Sequence, residues 1–220
     1  MNITNDKVTN YINSFYKPLD DDLGLLREES EEKNIPLILK ETENYLCTML
    51  SILKPKRILE IGTAYGYSAL FFTRFLPDCK VTTLERSQYM CMNAERNFED
   101  RPEGFRIDLR VGDAEASLDA LSEQLSQDQY YDFVFIDAGK SHYKEFFDKA
   151  SKLCKPGATI ICDNILMKAY IVDKAYEPGR RHRTSVKRMQ EFLNYINERD
   201  DLTVSLLSCG DGLAVIKLND

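Results

Sequence analysis

Asp137, Asp163 and Asn164 offer two carboxylates and one amide oxygen. Each follows a short apolar run, "FVFI" before the first and "ATIIC" before the other two. An aspartate at the end of a buried strand must be solvated, paired or bound to a metal, because an isolated buried charge is expensive. Three hard oxygens on adjacent strands suit Mg²⁺ or Mn²⁺, with further positions open to water or substrate. They do not suit zinc, since no thiol or imidazole joins them. Singly, each reads as a turn-forming Asx residue or a helix cap. Their joint occurrence after two strands favours the metal.

Similar positions recur upstream. "EIGTAYGYSA" carries Glu60, Gly62, Gly66 and Ser68 at the end of another apolar run. Glycine there lets the backbone turn sharply and approach a ligand that a Cβ would exclude. The alternative is a tight turn with close helix packing. The spacing is GxxxG, not the GxGxxG of a pyrophosphate-binding turn, which counts against a dinucleotide. Glu85 lies 23 residues beyond Gly62, near the offset of about 20 at which an acid reaches ribose hydroxyls. It could equally be an acid favoured by a helix N-terminus. In "RVGDAEAS", Asp113 and Ala114 could hold an adenine ring between them, or Asp113 could simply cap the next helix.

The elements that must position these residues follow from periodicity. Residues 20–34 and 39–54 carry leucines at helical spacing, with Pro36 in an extended "IPLI" link between them. Strands are expected at 57–61, 80–84, 106–111, 132–136 and 158–162. Helices are expected at 66–76, 87–99, 114–126 and 142–153. The end differs: "TVSLLS", "CGDG" and "LAVIKL" read as a hairpin with Asp-Gly in its turn. The expected architecture is α/β: a Rossmann-like, doubly wound sheet of seven strands, mostly parallel with an antiparallel last strand, and helices on both faces. Such sheets bind ligands at the carboxyl ends of the strands, near the reversal of strand order. Residues 1–220 form one domain in this reading, with 1–54 as an N-terminal helical extension.

Composition bounds the function. The 220 residues carry a net charge of −7, which argues against non-specific nucleic-acid binding by the whole molecule. The six cysteines show no CxxC spacing and read as reduced thiols of a cytoplasmic protein. No apolar run approaches membrane-span length, and the first residues have no signal-peptide core. One segment departs from the acidic average. From Lys168 to Arg188 seven Lys/Arg, including Arg180, Arg181 and Arg183, stand against two acids, a local +5 that leaves −12 on the rest. Tyr170 and Tyr176 are interleaved and could stack on unpaired bases. The plainer reading is a solvated helix start with a lid.

Taken in order, "ILEIGTAYGYSAL", "LERS", "GDA", "FIDAGKSHY", "CDN" and "GDGLAV" resemble the class I S-adenosylmethionine-dependent O-methyltransferases. The metal-dependent catechol and caffeoyl-CoA branch is the nearer match, and within it the bacterial tRNA 5-hydroxyuridine methyltransferases. The resemblance implies that Ile38, Glu60, Gly62, Ser68, Glu85, Asp113 and Ala114 hold S-adenosylmethionine. Ile38 would act through its backbone. It implies that Asp137, Asp163 and Asn164 hold Mg²⁺ or Mn²⁺, with Asp137 also near the cofactor. Lys140 would be the general base, and a homodimer is expected. The chain departs from the commoner "DAAKGQY" at Gly139 and His142. The implied reaction methylates a hydroxyl beside a second oxygen, either 5-hydroxyuridine in the tRNA anticodon loop or a small hydroxylated aromatic. Two other classes fit less well. A nicotinamide dehydrogenase is disfavoured by the GxxxG spacing and by the want of a convincing catalytic Tyr-xxx-Lys or His partner. A silent binding module would not keep Asp137, Lys140, Asp163 and Asn164 together.

Overall fold

Strands β1 (Arg57–Ile61), β2 (Lys80–Glu85), β3 (Ile107–Val111), β4 (Tyr131–Ile136) and β5 (Cys154–Asp163) form the parallel part of a seven-stranded sheet. The computed structural model of the chain describes residues 5–173 and 182–219. The sheet order is β3-β2-β1-β4-β5-β7-β6, with β6 (Leu202–Leu207) and β7 (Leu213–Leu218) closing one edge. β7 runs antiparallel to both β5 and β6. This is the expected doubly wound sheet, and its order reverses between β1 and β4.

Successive side chains of the central strands point to opposite faces. Ile58, Phe133, Phe135 and Ile161 belong to one buried cluster, and Leu59, Val134, Ile136, Ile160 and Cys162 to the other. Helices α2 (Asp21–Glu32), α3 (Lys40–Leu53), α4 (Tyr67–Phe75) and α5 (Gln88–Glu99) cover the first face. Helices α6 (Ala114–Gln124), α7 (Tyr143–Ser151) and α8 (Arg183–Asn197) cover the second. Helix α1 (Asp6–Asn13) was not legible from the pattern, because it buries only Thr9. β5 begins four residues earlier than expected, across a register shift beside Tyr131 and Phe133. All six cysteines are unpaired. Among the described residues no helix is long and apolar enough to cross a membrane.

Register sets the site. Ile61 pairs with Leu84 on one side and Ile136 on the other, and Ile136 pairs with Cys162. The residues that follow, Gly62, Glu85, Asp137 and Asp163, therefore end at one level along the carboxyl edge.

Candidate active site

A cleft of about 540 Å³ opens along that edge. Strand ends supply Gly62, Glu85, Asp113, Asp137 and Asn164, and residues 36–38 and Tyr67 form a further wall.

At the β1 end, Gly62 has φ +106°, and a Cβ there would lie 2.0 Å from the Asp137 carbonyl oxygen. Gly66, at φ +82°, would meet the Phe98 ring at 2.4 Å. Both glycines are required by the protein's own packing, so a ligand is not needed to explain them. Glu60 is fully buried and accepts from Thr83 Oγ1 at 2.5 Å, while its Oε1 has no partner. Burial pushes its carboxyl up to about 7, against the Ser68 and Thr83 hydroxyls that face it. Glu85 accepts backbone N–H from Ala64 at 3.1 Å and from Ser87 at 2.8 Å. Its carboxylate is thereby fixed at the cleft wall. Asp113 caps α6, accepting from Glu115 and Ala116 N–H at 3.0 and 3.3 Å. Ala114 lines the cleft beside it. His142 Nδ1 lies 3.3 Å from Glu115 Oε1 and its ring stacks on Phe146, and all three residues line this end of the cleft.

At the β4–β5 end, Lys140 gathers the oxygens singled out from the sequence. Its Nζ donates to Asp137 Oδ1 at 3.0 Å, to Asn164 Oδ1 at 2.6 Å and to the Tyr143 hydroxyl at 3.0 Å. Tyr143 in turn donates to the Asp163 carbonyl at 2.8 Å. Burial works against the ammonium, but Tyr143 and Asp137 more than offset it, and the Lys140 pKa is pushed up. These surroundings favour the ammonium form of Lys140. Asp163 is fully buried, and burial beside Asp137 raises its pKa. Its Oδ1 accepts from the Asn164 N–H at 2.6 Å, while Oδ2 is buried without a partner. Among the described residues no three His, Cys, Asp or Glu side chains converge as a metal cluster. The third oxygen here is an amide. An orphaned carboxylate oxygen, and two more oxygens already on a cation, fit a hard divalent ion.

Other expected residues are placed differently. Ile38 lines the cleft, but its carbonyl accepts from buried Arg27 and so turns into the protein. Lys168 has φ +56°, donates its N–H to Asp211 Oδ1 and does not line the cleft. Arg183 opens α8, away from the cleft wall. Arg180 and Arg181 lie outside the described residues. Tyr143 was missed although "FIDAGKSHY" contains it, since nothing local says that its hydroxyl reaches Lys140. Arg27, Glu43 and Tyr67 were missed too. The available signal was a charge on the apolar face of each of two helices.

Comparison with known proteins agrees with this geometry. Residues 20–218 match the O-methyltransferase family. The catechol O-methyltransferase of Niastella koreensis is 29% identical over 172 residues, 77% of either chain. Tapetum-specific methyltransferase 1 of Arabidopsis thaliana is 28% identical, over 79% of this chain and 74% of that protein. Among solved structures, the O-methyltransferase from Bacillus cereus in complex with SAH superposes with a TM-score of 0.82 at 26% identity, covering 97% of each chain. SAH-bound methyltransferase PaMTH1 of Podospora anserina gives 0.84 at 25% identity, over 98% of this chain and 95% of that one. The fold, the cleft at its switch point and a match over nearly the whole length lead to one assignment: this chain belongs to the S-adenosylmethionine-dependent O-methyltransferase family, of the catechol and caffeoyl-CoA type.

Proposed function

We propose that the chain methylates a hydroxyl beside a second oxygen with the help of a divalent metal, and that its acceptor is 5-hydroxyuridine in the tRNA anticodon loop, giving 5-methoxyuridine. The observation that carries the chemistry is the convergence of Asp137 Oδ1 and Asn164 Oδ1 on Lys140, next to the unpartnered Asp163 Oδ2. Asp137, Asp163 and Asn164 would hold Mg²⁺ or Mn²⁺. That ion would supply positive charge to acidify a hydroxyl and to compete for the oxygens on Lys140. S-Adenosylmethionine supplies the methyl group on a sulfonium. Glu85 would hold its ribose, Asp113 and Ala114 its adenine, and Glu60, Gly62 and Ser68 its amino-acid end. Lys140 would first give up a proton to solvent as the ion takes over Asp137 and Asn164, its neutral Nζ would then take the acceptor's proton, and Tyr143 keeps that nitrogen in place. Much of the rate would come from alignment.

The acceptor rests on charge. The +5 segment at 168–188, in a chain of −7, suits an RNA stem-loop. A second reading, a small catechol, is supported by the Niastella relative, which is a catechol O-methyltransferase. Six unpaired cysteines support a cytoplasmic setting.

The test is transfer of labelled methyl to tRNA from a strain lacking this modification, beside a catechol control. Excess EDTA should abolish both reactions, and Mg²⁺ should restore them. Neutralising Arg180, Arg181 and Arg183 together should raise the KM for tRNA and flatten its salt dependence, leaving catechol turnover unchanged. Full activity in EDTA removes the metal. Efficient catechol methylation with no transfer to tRNA replaces the RNA reading by the small-molecule one.

A further inference from the structure

Two charged side chains stand on helix faces that otherwise bury apolar or small residues. On α2 the buried residues are Leu23, Leu26, Arg27 and Ser30, and on α3 they are Thr42, Glu43, Leu46 and Leu50. Arg27 is 4% exposed and Glu43 1%. Taking both ions out of water is costly, and packed apolar residues often serve a fold as well or better. Holding α2 to α3 is therefore a weak reason for the pair.

Its other contacts give a stronger one. Arg27 Nη2 donates to Glu43 Oε2 and, at 3.1 Å, to the Ile38 carbonyl, while Nε donates to the Tyr67 hydroxyl at 3.3 Å. Tyr67 donates to Glu43 Oε2 at 2.8 Å, and Tyr16 donates to Oε1 at 2.9 Å. The guanidinium also lies over the rings of Tyr67 and Tyr16, 4.7 and 5.2 Å from their centroids. Ile38 and Tyr67 are both cleft walls: one belongs to the strap at 36–39, and the other opens α4 just after the Gly66 turn. Backbone bonds of 2.9 Å pin the strap's ends, Ile35 to Ser30 and Glu43 to Leu39. Arg27 pins its middle. A planar fork carries its donors in fixed directions, so the carboxylate, the carbonyl and the hydroxyl are held at set angles to one another, which a single ammonium nitrogen does not enforce.

We propose that Arg27, held by Glu43, is a positioning residue for cofactor binding. It fixes the strap and the first turn of α4 as two walls of one cleft, so the N-terminal helices set the affinity for S-adenosylmethionine. This rests on the family assignment and on neither the metal nor the acceptor. Tyr16 extends the network to the segment after α1, which makes the N-terminal extension part of the binding apparatus.

The test compares Arg27→Lys with Leu26→Val, a packing change on the same helix face. Arg27→Lys keeps the charge opposite Glu43 but loses the fork. Calorimetry should show S-adenosylmethionine Kd raised about tenfold, the worth of one charge-assisted hydrogen bond. The effect should fall on the KM for cofactor and not on kcat at saturating cofactor. Hydrogen exchange at Leu37, Ile38 and Leu39 should quicken in the free protein and slow again with cofactor bound. Leu26→Val, at a matched loss of melting temperature, should leave Kd and strap exchange as in the native protein. Should Arg27→Lys fail to fold, Tyr67→Phe removes only the hydroxyl between Arg27 and Glu43 and should raise Kd in the same direction. An unchanged Kd in the folded variants, or an equal change in Leu26→Val, overturns the proposal.

Discussion

Glu60 shows how burial can outweigh the hydroxyls that face a carboxyl. It sits in the middle of the sheet with one oxygen on Thr83 and the other without a partner. Burial moves its pKa from about 4.5 to about 7. A carboxyl raised on folding contributes stability that is complete below the unfolded pKa and is lost as pH rises through the folded one. The native protein should therefore lose stability between about pH 4.5 and pH 7 on account of this group. Glu60→Gln should remove that loss. The stability of the variant relative to the native chain should be greater at pH 8 than at pH 4 by about 3 kcal/mol, measured by urea denaturation at the two pH values. A pH-independent difference would mean that the Glu60 carboxyl has the same pKa folded and unfolded. The location of Glu60 on a strand was legible from the sequence. Its isolation was not, because that depends on which hydroxyls the neighbouring strand and helix bring to it.

At the scale of elements, the segment after β5 carries the most conformational strain. Asn164, Met167, Lys168 and Ala169 all have φ between +50° and +67°. Left-handed conformations cost a non-glycine residue roughly 1 kcal/mol or more, so the surroundings must over-determine them. The β6–β7 turn does this. Ile165 N–H donates to the Gly212 carbonyl at 3.1 Å, Leu166 N–H to the Asp211 carbonyl at 3.0 Å, and Lys168 N–H to Asp211 Oδ1 at 2.6 Å. Gly212 has no room for a Cβ, which would fall 2.4 Å from Leu166 Cγ. The Asp-Gly pair was expected only to turn a hairpin, and it also anchors the segment that presents Asn164. Asp211→Ala should loosen that anchor, lowering kcat for the methyl acceptor about tenfold or more. S-Adenosylmethionine affinity should stay within twofold of native. Weakened cofactor binding with normal kcat would show that the turn serves the other half of the cleft.

At the scale of the whole molecule, the N-terminal helix has its apolar side outward. Tyr11 is 68% and Phe15 66% exposed, with Val8 and Ile12 beside them. A helix that buries one threonine in its own chain leaves that side for another surface. We propose that this side is the interface of a homodimer. The double variant Tyr11→Glu, Phe15→Glu should shift the chain toward monomer in analytical ultracentrifugation, against a 25.4 kDa protomer. An unchanged dimer would place the interface elsewhere, and a monomeric native chain would end the proposal.

The sequence by itself determined the strands and most of the helices, though not α1 or α8, because apolar period and breaking residues are local properties. It also determined the residues that follow the strands. Buried parallel strands are near-continuous apolar runs, so polar side chains concentrate at their carboxyl ends, Glu60 and the threonines of β2 excepted. That made Glu85, Asp113, Asp137, Asp163 and Asn164 legible together. Tertiary structure alone decided what those residues touch. Register put four strand ends at one level, and the Asp137 carbonyl, 75 positions away, explains Gly62. Lys140 meets Asn164 across 24 positions, and Arg27 meets Glu43 across 16 and Tyr67 across 40. Such pairs join different elements, and their distances follow from how helices pack on the two faces of the sheet. A local reading carries no measure of that packing, so it identified the groups at the strand ends, missed Arg27, Glu43, Tyr67 and Tyr143, and left charge states and partners to the fold.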